Sequence, residues 1–276
     1  DVYKRQVEYY ARIAATALPL WRDRPLSMHR FPDGIGAEGF LQKDAPDHFP
    51  DWIERATLPK EGGTVDYLLC NEAATLAYIA AQGCITPHLG LSRIDRIDCP
   101  DRLILDLDPS DGGFGSVQFA AARTRELLDG FGIAAFVQTT GSRGLHVVIP
   151  LDRSEPFDAV RAVAREFADA LAARHPDRLT VEQRKNARGD RVFLDFLRNA
   201  YGQTAVAPYA VRARPGAPTA TPVDWDEALA SGMSPHKYGL RNMFRRLAQK
   251  DDPWAGMARH AISPGTLRRR LRALDD

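Results

Sequence analysis

Three aspartates follow or interrupt apolar segments, where a charged side chain needs a specific partner. Asp106 and Asp108 close the run Leu-Ile-Leu-Asp-Leu-Asp at positions 103–108. Side chains alternate across a β-strand, so both carboxylates are predicted to lie on one face. Neighbouring carboxylates repel each other unless a cation lies between them, and hard divalent cations prefer oxygen ligands. The pattern indicates a metal site; the alternative is a strand end whose acids cap a turn or face solvent.

The third aspartate, Asp195, stands alone in an apolar run at positions 193–197. A buried carboxylate without a partner is costly, so a bound cation is favoured. Arg198 and Asn199 follow at the predicted strand end, within reach of a substrate. The alternative is an ion pair between Asp195 and an arginine nearby in sequence: Arg188, Arg191, Arg212 or Arg214. Three carboxylates holding two metals suit phosphoryl transfer, in which the metals clamp the attacking and leaving oxygens.

A glycine-rich segment at positions 139–146 is the third feature. Gly141 and Gly144 allow the backbone to approach a ligand, while Thr140, Arg143 and His146 offer hydrogen-bond donors to phosphate oxygens. The segment lies between two predicted strands and lacks Gly-Lys-Ser/Thr, which argues against a P-loop. The alternative is an ordinary hairpin turn with an incidental arginine and a packed histidine. Together the three features predict a metal-dependent nucleotidyltransferase.

The elements that hold these residues alternate between strands and helices, which predicts an α+β (mixed α/β) fold with mostly antiparallel sheets flanked by helices. Hydrophobic periodicity predicts strands or extended segments at 26–31, 39–43, 65–70, 85–91, 102–107, 133–140, 145–151, 192–197 and 209–214. It predicts helices at 7–18 (ending at Pro19), from the N-cap Asn71 to Gly83, and at 116–128, 157–174, 235–249 and 266–274. A loop is expected at 46–59, and the segment 204–222, rich in Ala, Pro and Thr, is expected to contain an ordered loop.

The overall composition is that of an ordinary globular protein. The 276 residues are 44% hydrophobic and 26% charged, with a net charge of +1, so bulk charge does not indicate a nucleic-acid binder. Cys70, Cys84 and Cys99 form no disulfide or zinc pattern, which favours a reducing cytoplasm. We expect no membrane span and no signal peptide. Because residue 1 is aspartate, the chain is expected to be a fragment or one domain of a longer protein.

The motifs resemble the primase-polymerase domain of bacterial non-homologous end-joining ligases (ligase D), in the archaeo-eukaryotic primase superfamily. The resemblance is carried by positions 8–14, 24–26, 30–34, 40–43, 102–109, 144–146, 195–199 and 210–218. It implies a primase-like catalytic fold and a single domain over 1–276. Within it, 1–100 would contact DNA ends and a 5′-phosphate, 101–220 would form the catalytic core, and 221–276 would supply C-terminal helices.

The resemblance also implies roles for individual residues. Asp106, Asp108 and Asp195 resemble catalytic ligands of two divalent cations, with Mn²⁺ favoured and Mg²⁺ possible. The residues that resemble nucleotide-binding positions are His88, Thr140, Arg143, His146 and Arg198. Lys43 resembles part of a pocket for a downstream 5′-phosphate, and Phe49 and Trp52 lie where the family handles template bases.

The implied activity is template-directed synthesis on DNA 3′ ends, with ribonucleotides preferred, during gap filling in end joining. The implied partners are DNA ends or gapped DNA carrying a 5′-phosphate, NTPs or dNTPs, Ku and a ligase domain, in the cytoplasm at the nucleoid. The alternative is a stand-alone primase or gap-filling repair polymerase. The chain departs from the family because only residues 1–6 precede the first predicted helix. Part of the 5′-phosphate pocket is therefore expected to be missing, or rebuilt with Lys4 and Arg5.

Two other classes fit the motifs less well. Haloacid-dehalogenase-like phosphatases also carry Asp-x-Asp on a strand, but near the N-terminus and followed by Gly-Thr, whereas Pro109 and Ser110 follow here. A non-catalytic nucleic-acid module would not need three strand carboxylates, because acids repel phosphate.

Overall fold

Two six-stranded sheets organise the computed structural model, which describes residues 2–110 and 113–274, with the backbone alone at positions 2 and 3. In chain order the strands are β1 (Pro25–Arg30), β2 (Phe40–Gln42), β3 (Arg55–Lys60), β4 (Gly63–Leu69), β5 (Cys84–Gly90), β6 (Arg102–Asp108), β7 (Phe136–Thr139), β8 (Leu145–Pro150), β9 (Leu179–Thr180), β10 (Val192–Asp195), β11 (Thr204–Val206) and β12 (Thr221–Val223). The α-helices are α1 (Val2–Trp21), α2 (Ala73–Ala81), α3 (Phe114–Gly130), α4 (Phe157–Arg174), α5 (Trp225–Leu229), α6 (Met243–Leu247) and α7 (Pro264–Arg272). No helix among the described residues is long and apolar enough to cross a membrane.

The first sheet has the order β11-β5-β1-β4-β3, with β2 paired to β1, and the second has the order β12-β7-β8-β6-β10-β9. Strand pairing is antiparallel except between β9 and β10. The predicted α+β fold with mostly antiparallel sheets is therefore confirmed. Strand β11 follows β10 of the second sheet in the chain but pairs with β5 of the first sheet. The chain therefore returns to the first sheet before it adds β12 to the second.

Each sheet is covered by its own helices. Residues of α3 and α4 pack on the apolar face of the second sheet, where Leu105 and Leu107 are buried beside Val163 and Phe167. Residues of α1 and α2 pack with the first sheet through a core that includes Tyr10. Burying a large apolar side chain stabilises the fold by about 1.5–3 kcal/mol, so these two cores hold the sheets that frame the site.

Several strand and loop predictions were wrong. The predicted loop at 46–59 ends in β3, which pairs with β4 along its length. The segment 204–222 does contain the ordered loop predicted for it, between β11 and β12. The predicted strand at 209–214 is absent from the described chain, because Tyr209 has φ 66° and leaves the extended conformation. The predicted strand at 192–197 ends at Asp195 and continues as a 3₁₀ turn, Leu197–Asn199.

The helix predictions also needed correction at their ends. Helix α1 continues through Pro19 to Trp21, whose indole Nε1 donates to the Pro208 carbonyl at 2.9 Å and anchors the last turn. The N-cap of α2 is Glu72 and not Asn71. The side-chain amide of Asn71 is hydrogen-bonded to Asp23 and Glu54 instead. The predicted helix at 235–249 is reduced to α6, and α5 was not predicted.

Candidate active site

Strand β6 lies at the centre of the second sheet and carries Asp106 and Asp108 on its open face. The neighbouring Leu105 and Leu107 are 2% and 0% exposed, which confirms the predicted alternation. Asp195 lies directly opposite Asp106 on β10, and His146 lies opposite Asp106 on β8. Residues opposite one another on antiparallel strands have Cβ atoms about 5 Å apart. The fold thus brings together three aspartates and a histidine from three strands that are distant in sequence.

Each carboxylate has a partner within the protein. Asp106 Oδ2 lies 3.5 Å from His146 Nε2. Arg143 Nη2 donates to both carboxylate oxygens of Asp108, at 2.9 and 3.1 Å. Asp195 Oδ1 accepts the Leu197 N–H at 2.8 Å, and Arg198 Nε lies 3.9 Å from Asp195 Oδ2. The arginine that pairs with Asp195, at long range, is therefore Arg198, which was not among the four arginines considered for this ion pair.

The three carboxylates differ in acidity because their surroundings differ. Burial alone would raise the pKa of Asp106, but His146, Arg198 and Arg212 lower it further than burial raises it, so its pKa lies below the ordinary value. Burial raises the pKa of Asp108, and repulsion from Asp106 raises it further. Arg143 lowers the pKa of Asp108 but does not outweigh these two effects. Burial and the same repulsion raise the pKa of Asp195. Asp108 and Asp195 would therefore gain most from a bound cation.

The donor set fits divalent cations by its chemistry. Three carboxylates converge on one sheet face, and oxygen ligands of this kind suit Mn²⁺ and Mg²⁺. Within residues 2–110 and 113–274, no three His, Cys, Asp or Glu side chains already lie close enough to hold one ion. Arg143 must release Asp108 before that carboxylate can turn to a cation, since it now occupies both oxygens.

A cleft of about 450 Å³ opens above β6, and basic side chains face the carboxylates across it. The predicted residues on its wall are His88, Asp106, Asp108, Thr140, Arg143, His146 and Arg198. Asp195 adjoins the cleft through Asp106 and Arg198 and does not itself line it. Arg212, Arg214 and Lys185 also line the cleft, although they were not among the candidates. The Arg-x-Arg spacing at 212–214 was a usable signal, whereas nothing local singled out Lys185.

The hairpin between β7 and β8 forms one wall of the cleft, as predicted. Gly141 has φ 62°, and a Cβ on Gly144 would lie 2.1 Å from the Leu107 carbonyl oxygen, so both positions require glycine. Thr140 Oγ1 donates to the Gly144 carbonyl at 3.1 Å and accepts the Gly144 N–H at 3.2 Å. The hydroxyl of Thr140 therefore shapes the loop that presents Arg143.

His88 enters the cleft from the first sheet, through β5. Its Nε2 is buried and has no hydrogen-bond partner among the described residues. Burial, followed by the nearby charge of Arg212, lowers the pKa of His88 to about 3. The ring is therefore neutral near pH 7. A buried ring nitrogen without a partner is a natural contact for a bound nucleotide.

This pKa predicts a pH dependence of stability. The unfolded chain binds a proton at His88 below about pH 6.5 and the folded chain does not, so unfolding free energy should fall by roughly 1 kcal/mol per pH unit as pH drops from 6.5 towards 3. Denaturant unfolding at pH 7.5, 6.5 and 5.5 measures this. His88→Gln should flatten the slope, while His236→Gln, on the exposed surface, should leave it unchanged. Equal slopes for wild type and His88→Gln would refute the assignment.

The three residues predicted to contact DNA occupy different environments. Lys43 is exposed just after β2, and its Nζ donates to the Gly202 carbonyl at 2.9 Å. It lines a second cavity, of about 640 Å³, that shares Thr204 with the cleft. Trp52 is 50% exposed and offers a ring face. Phe49 is only 2% exposed and packs against Tyr78, so in this conformation its ring is a core contact and presents no face to a base.

Asn199 also differs from expectation, because it does not reach the cleft. It is 0% exposed, and its amide bonds to the backbone of strand β6 at Ile104. Its contribution is to hold the turn that carries Arg198.

Comparison with known proteins gives consistent matches. The model of the family described as LigD, primase-polymerase domain, matches residues 4–254. The multifunctional non-homologous end joining protein LigD of Pseudomonas aeruginosa is 35% identical over 96% of this chain and 32% of that protein. Its counterpart in Mycolicibacterium smegmatis is 31% identical over 80% of this chain and 29% of that protein. The chain thus spans about a third of the length of these relatives.

A solved structure has the same fold. The polymerase domain from Mycobacterium tuberculosis ligase D, in complex with DNA, superposes with a TM-score of 0.87 and 28% identity, over 93% of this chain and 92% of that one.

Proposed function

This chain belongs to the LigD primase-polymerase domain family, and from that premise we propose that it is a template-directed polymerase which extends DNA 3′ ends during gap filling in non-homologous end joining. The observation that carries the proposal is the charge pattern of the cleft. Asp106 and Asp108 lie on one wall with Asp195 beside them, and the cations Arg143, Lys185, Arg198, Arg212 and Arg214 surround them. This pattern suits a nucleoside triphosphate bound together with divalent cations.

The residues of the chain divide the work of nucleotidyl transfer. Arg198, Arg212 and Arg143 would hold the triphosphate by charge-assisted hydrogen bonds, and the neutral His88 would contact the nucleotide from the other sheet. The three aspartates would hold two divalent cations, Mn²⁺ by preference. These cations, when bound, lower the pKa of the primer 3′-hydroxyl and neutralise charge developing on the phosphate. The 3′-hydroxyl attacks the α-phosphate and pyrophosphate leaves.

Primer extension on gapped DNA tests this function. Wild-type protein, a labelled primer and a complementary template are combined with NTPs or dNTPs, in Mn²⁺ or Mg²⁺. We expect template-dependent addition, faster with ribonucleotides and with Mn²⁺; both preferences rest on the family resemblance. Template-independent addition would contradict template direction, and absence of addition under every condition would overturn the polymerase assignment.

We propose that a downstream 5′-phosphate binds beside Lys43, in the cavity that adjoins the cleft. Lys43→Ala should weaken binding of a 5′-phosphorylated gap by about tenfold, because a hydrogen bond to a charged group contributes about 1.5–3 kcal/mol. Its affinity for an unphosphorylated gap should hardly change. Lys237→Ala, at an exposed lysine that does not line this cavity, is the control and should leave both affinities unchanged. Equal losses for Lys43→Ala on both substrates would exclude this role. Fluorescence anisotropy measures the six affinities, for wild type and the two variants on each substrate.

The exposed ring of Trp52 is proposed as the contact with template bases, since it offers a stacking face. The relatives are named as multifunctional end-joining proteins of about three times this length. We therefore propose a ligase domain and Ku as partners and the bacterial nucleoid, in the cytoplasm, as the place of action.

A further inference from the structure

A second charged cavity lies at the far end of strand β6 from the catalytic aspartates. Strand β6 begins at Arg102 and ends at Asp108, so about 20 Å separate its two ends. The cavity, here called the rear cavity, has a volume of about 660 Å³. Its charged wall is formed by Arg24, Arg93, Asp101, Arg102, Arg153 and Asp252, and its apolar wall includes Leu20, Leu151, Trp254 and Met257.

The charges of the rear cavity do not balance. Arg24, Arg93 and Arg102 converge on the single carboxylate of Asp101, with N···O distances of 2.5, 3.1 and 3.6 Å. Arg153 pairs with Asp95 at 2.7 Å. With Asp252, which accepts hydrogen bonds from Tyr209 and Trp254, four guanidinium groups face three carboxylates. One positive charge is therefore left over.

Arg102 and Arg153 have unused donor capacity, because the Nε of each has no hydrogen-bond partner within the described part of the chain. Arg102 is 4% exposed, and its Nη2 donates to the Leu20 carbonyl at 3.3 Å. The 3.6 Å separation of Nε from Asp101 Oδ1 is too long for a hydrogen bond. Burial, followed by repulsion from Arg24, lowers the pKa of Arg102 to about 9. A buried cation in this condition is stabilised by a further anion.

We propose that the rear cavity binds the phosphate or carboxylate group of a small molecule among Arg93, Arg102 and Arg153. Guanidinium groups recognise both kinds of oxyanion through paired hydrogen bonds. The volume lies in the range of small-molecule pockets and exceeds that of one oxyanion, so the uncharged part of the ligand packs against the apolar wall. This site is separate from the cleft that holds the proposed triphosphate.

Isothermal titration with inorganic phosphate, and separately with acetate, tests the site at constant ionic strength. The variant Arg93→Gln/Arg153→Gln removes two partly exposed donors, with side chains 27% and 22% exposed, and leaves buried Arg24 and Arg102 intact. The matched variant Arg143→Gln/Arg198→Gln removes two arginines from the catalytic cleft. We expect at least tenfold weaker binding in the first variant and unchanged binding at the rear site in the second.

Nuclear magnetic resonance of ¹⁵N-labelled arginine side chains locates the bound anion independently. The Nε signal of Arg102 should shift on addition of the anion that binds, assigned by its loss in Arg102→Lys. Tighter binding of phosphate or of acetate identifies which group the cavity selects. Absence of a saturable shift at Arg102, or loss of all binding in the cleft variant alone, would overturn the proposal. Primer extension by Arg93→Gln/Arg153→Gln should match wild type, which verifies that this variant is folded.

Discussion

Replacing Asp106 or Asp195 with alanine is expected to lower the rate of primer extension by at least about 10³-fold, because divalent cations contribute several kcal/mol to stabilising the transition state. The two aspartates lie opposite each other on adjacent strands, so each variant should remove a ligand from the same site. Single-turnover extension at saturating nucleotide measures the chemical step. Titration of Mn²⁺ in the same assay should show that the weakened activity requires a higher metal concentration.

A loss of folding would mimic this result, so stability must be measured alongside activity. Asp195→Asn is the useful variant, because burial and repulsion from Asp106 raise the pKa of Asp195 and make its charged form unfavourable without metal. Its melting temperature without metal should equal or exceed that of wild type while activity is lost. Asp226→Asn, at a side chain that is 94% exposed, should leave both properties unchanged. Near-wild-type activity in Asp106→Ala or Asp195→Ala would exclude the metal-site hypothesis.

Asn199→Ala is expected to destabilise the protein by about 3 kcal/mol, lowering the melting temperature by roughly 10 °C. Asn199 Oδ1 accepts the Ile104 N–H at 2.8 Å, and its Nδ2 donates to the carbonyls of Ile104 and Phe196 at 2.7 and 2.9 Å. Alanine would leave the buried backbone groups of Ile104 without these partners. Thermal unfolding followed by circular dichroism measures the loss.

The same substitution should reduce catalysis, because the turn that Asn199 holds follows Asp195 and carries Arg198. Below the melting transition, KM for nucleotide should rise and the extension rate should fall. Asn186→Ala is the control, since Asn186 is exposed in the turn Lys185–Ala187 beside the same cleft. A variant Asn199→Ala as stable as Asn186→Ala would show that the buried amide contributes little.

The strand that carries Asp106 and Asp108 is predictable from the sequence because the residues that define it are neighbours in the chain. The alternation of apolar and acidic residues at 103–108 predicts both the strand and the shared face of Asp106 and Asp108, and the structure places them there. The hairpin was equally predictable from its two glycines. Gly141 adopts the positive φ of the turn, and Gly144 lies against the backbone of Leu107. Helices α3 and α4 followed from their apolar periodicity. In each case neighbouring residues carry the whole signal.

Contacts between segments that are distant in sequence were decided only when the chain packed into its tertiary structure. Nothing near Phe49 in sequence shows that its ring packs on Tyr78, whereas Trp52 stays exposed. Likewise, the pairing of Arg143 with Asp108 depends on how the hairpin lies over β6. Asn199 satisfies the backbone of Ile104 because strand β10 ends four residues earlier, at Asp195, and leaves those groups open. Burial and hydrogen bonding are properties of the packed chain, so composition and spacing can nominate a charged or polar residue, while tertiary packing determines whether it faces a substrate or the core.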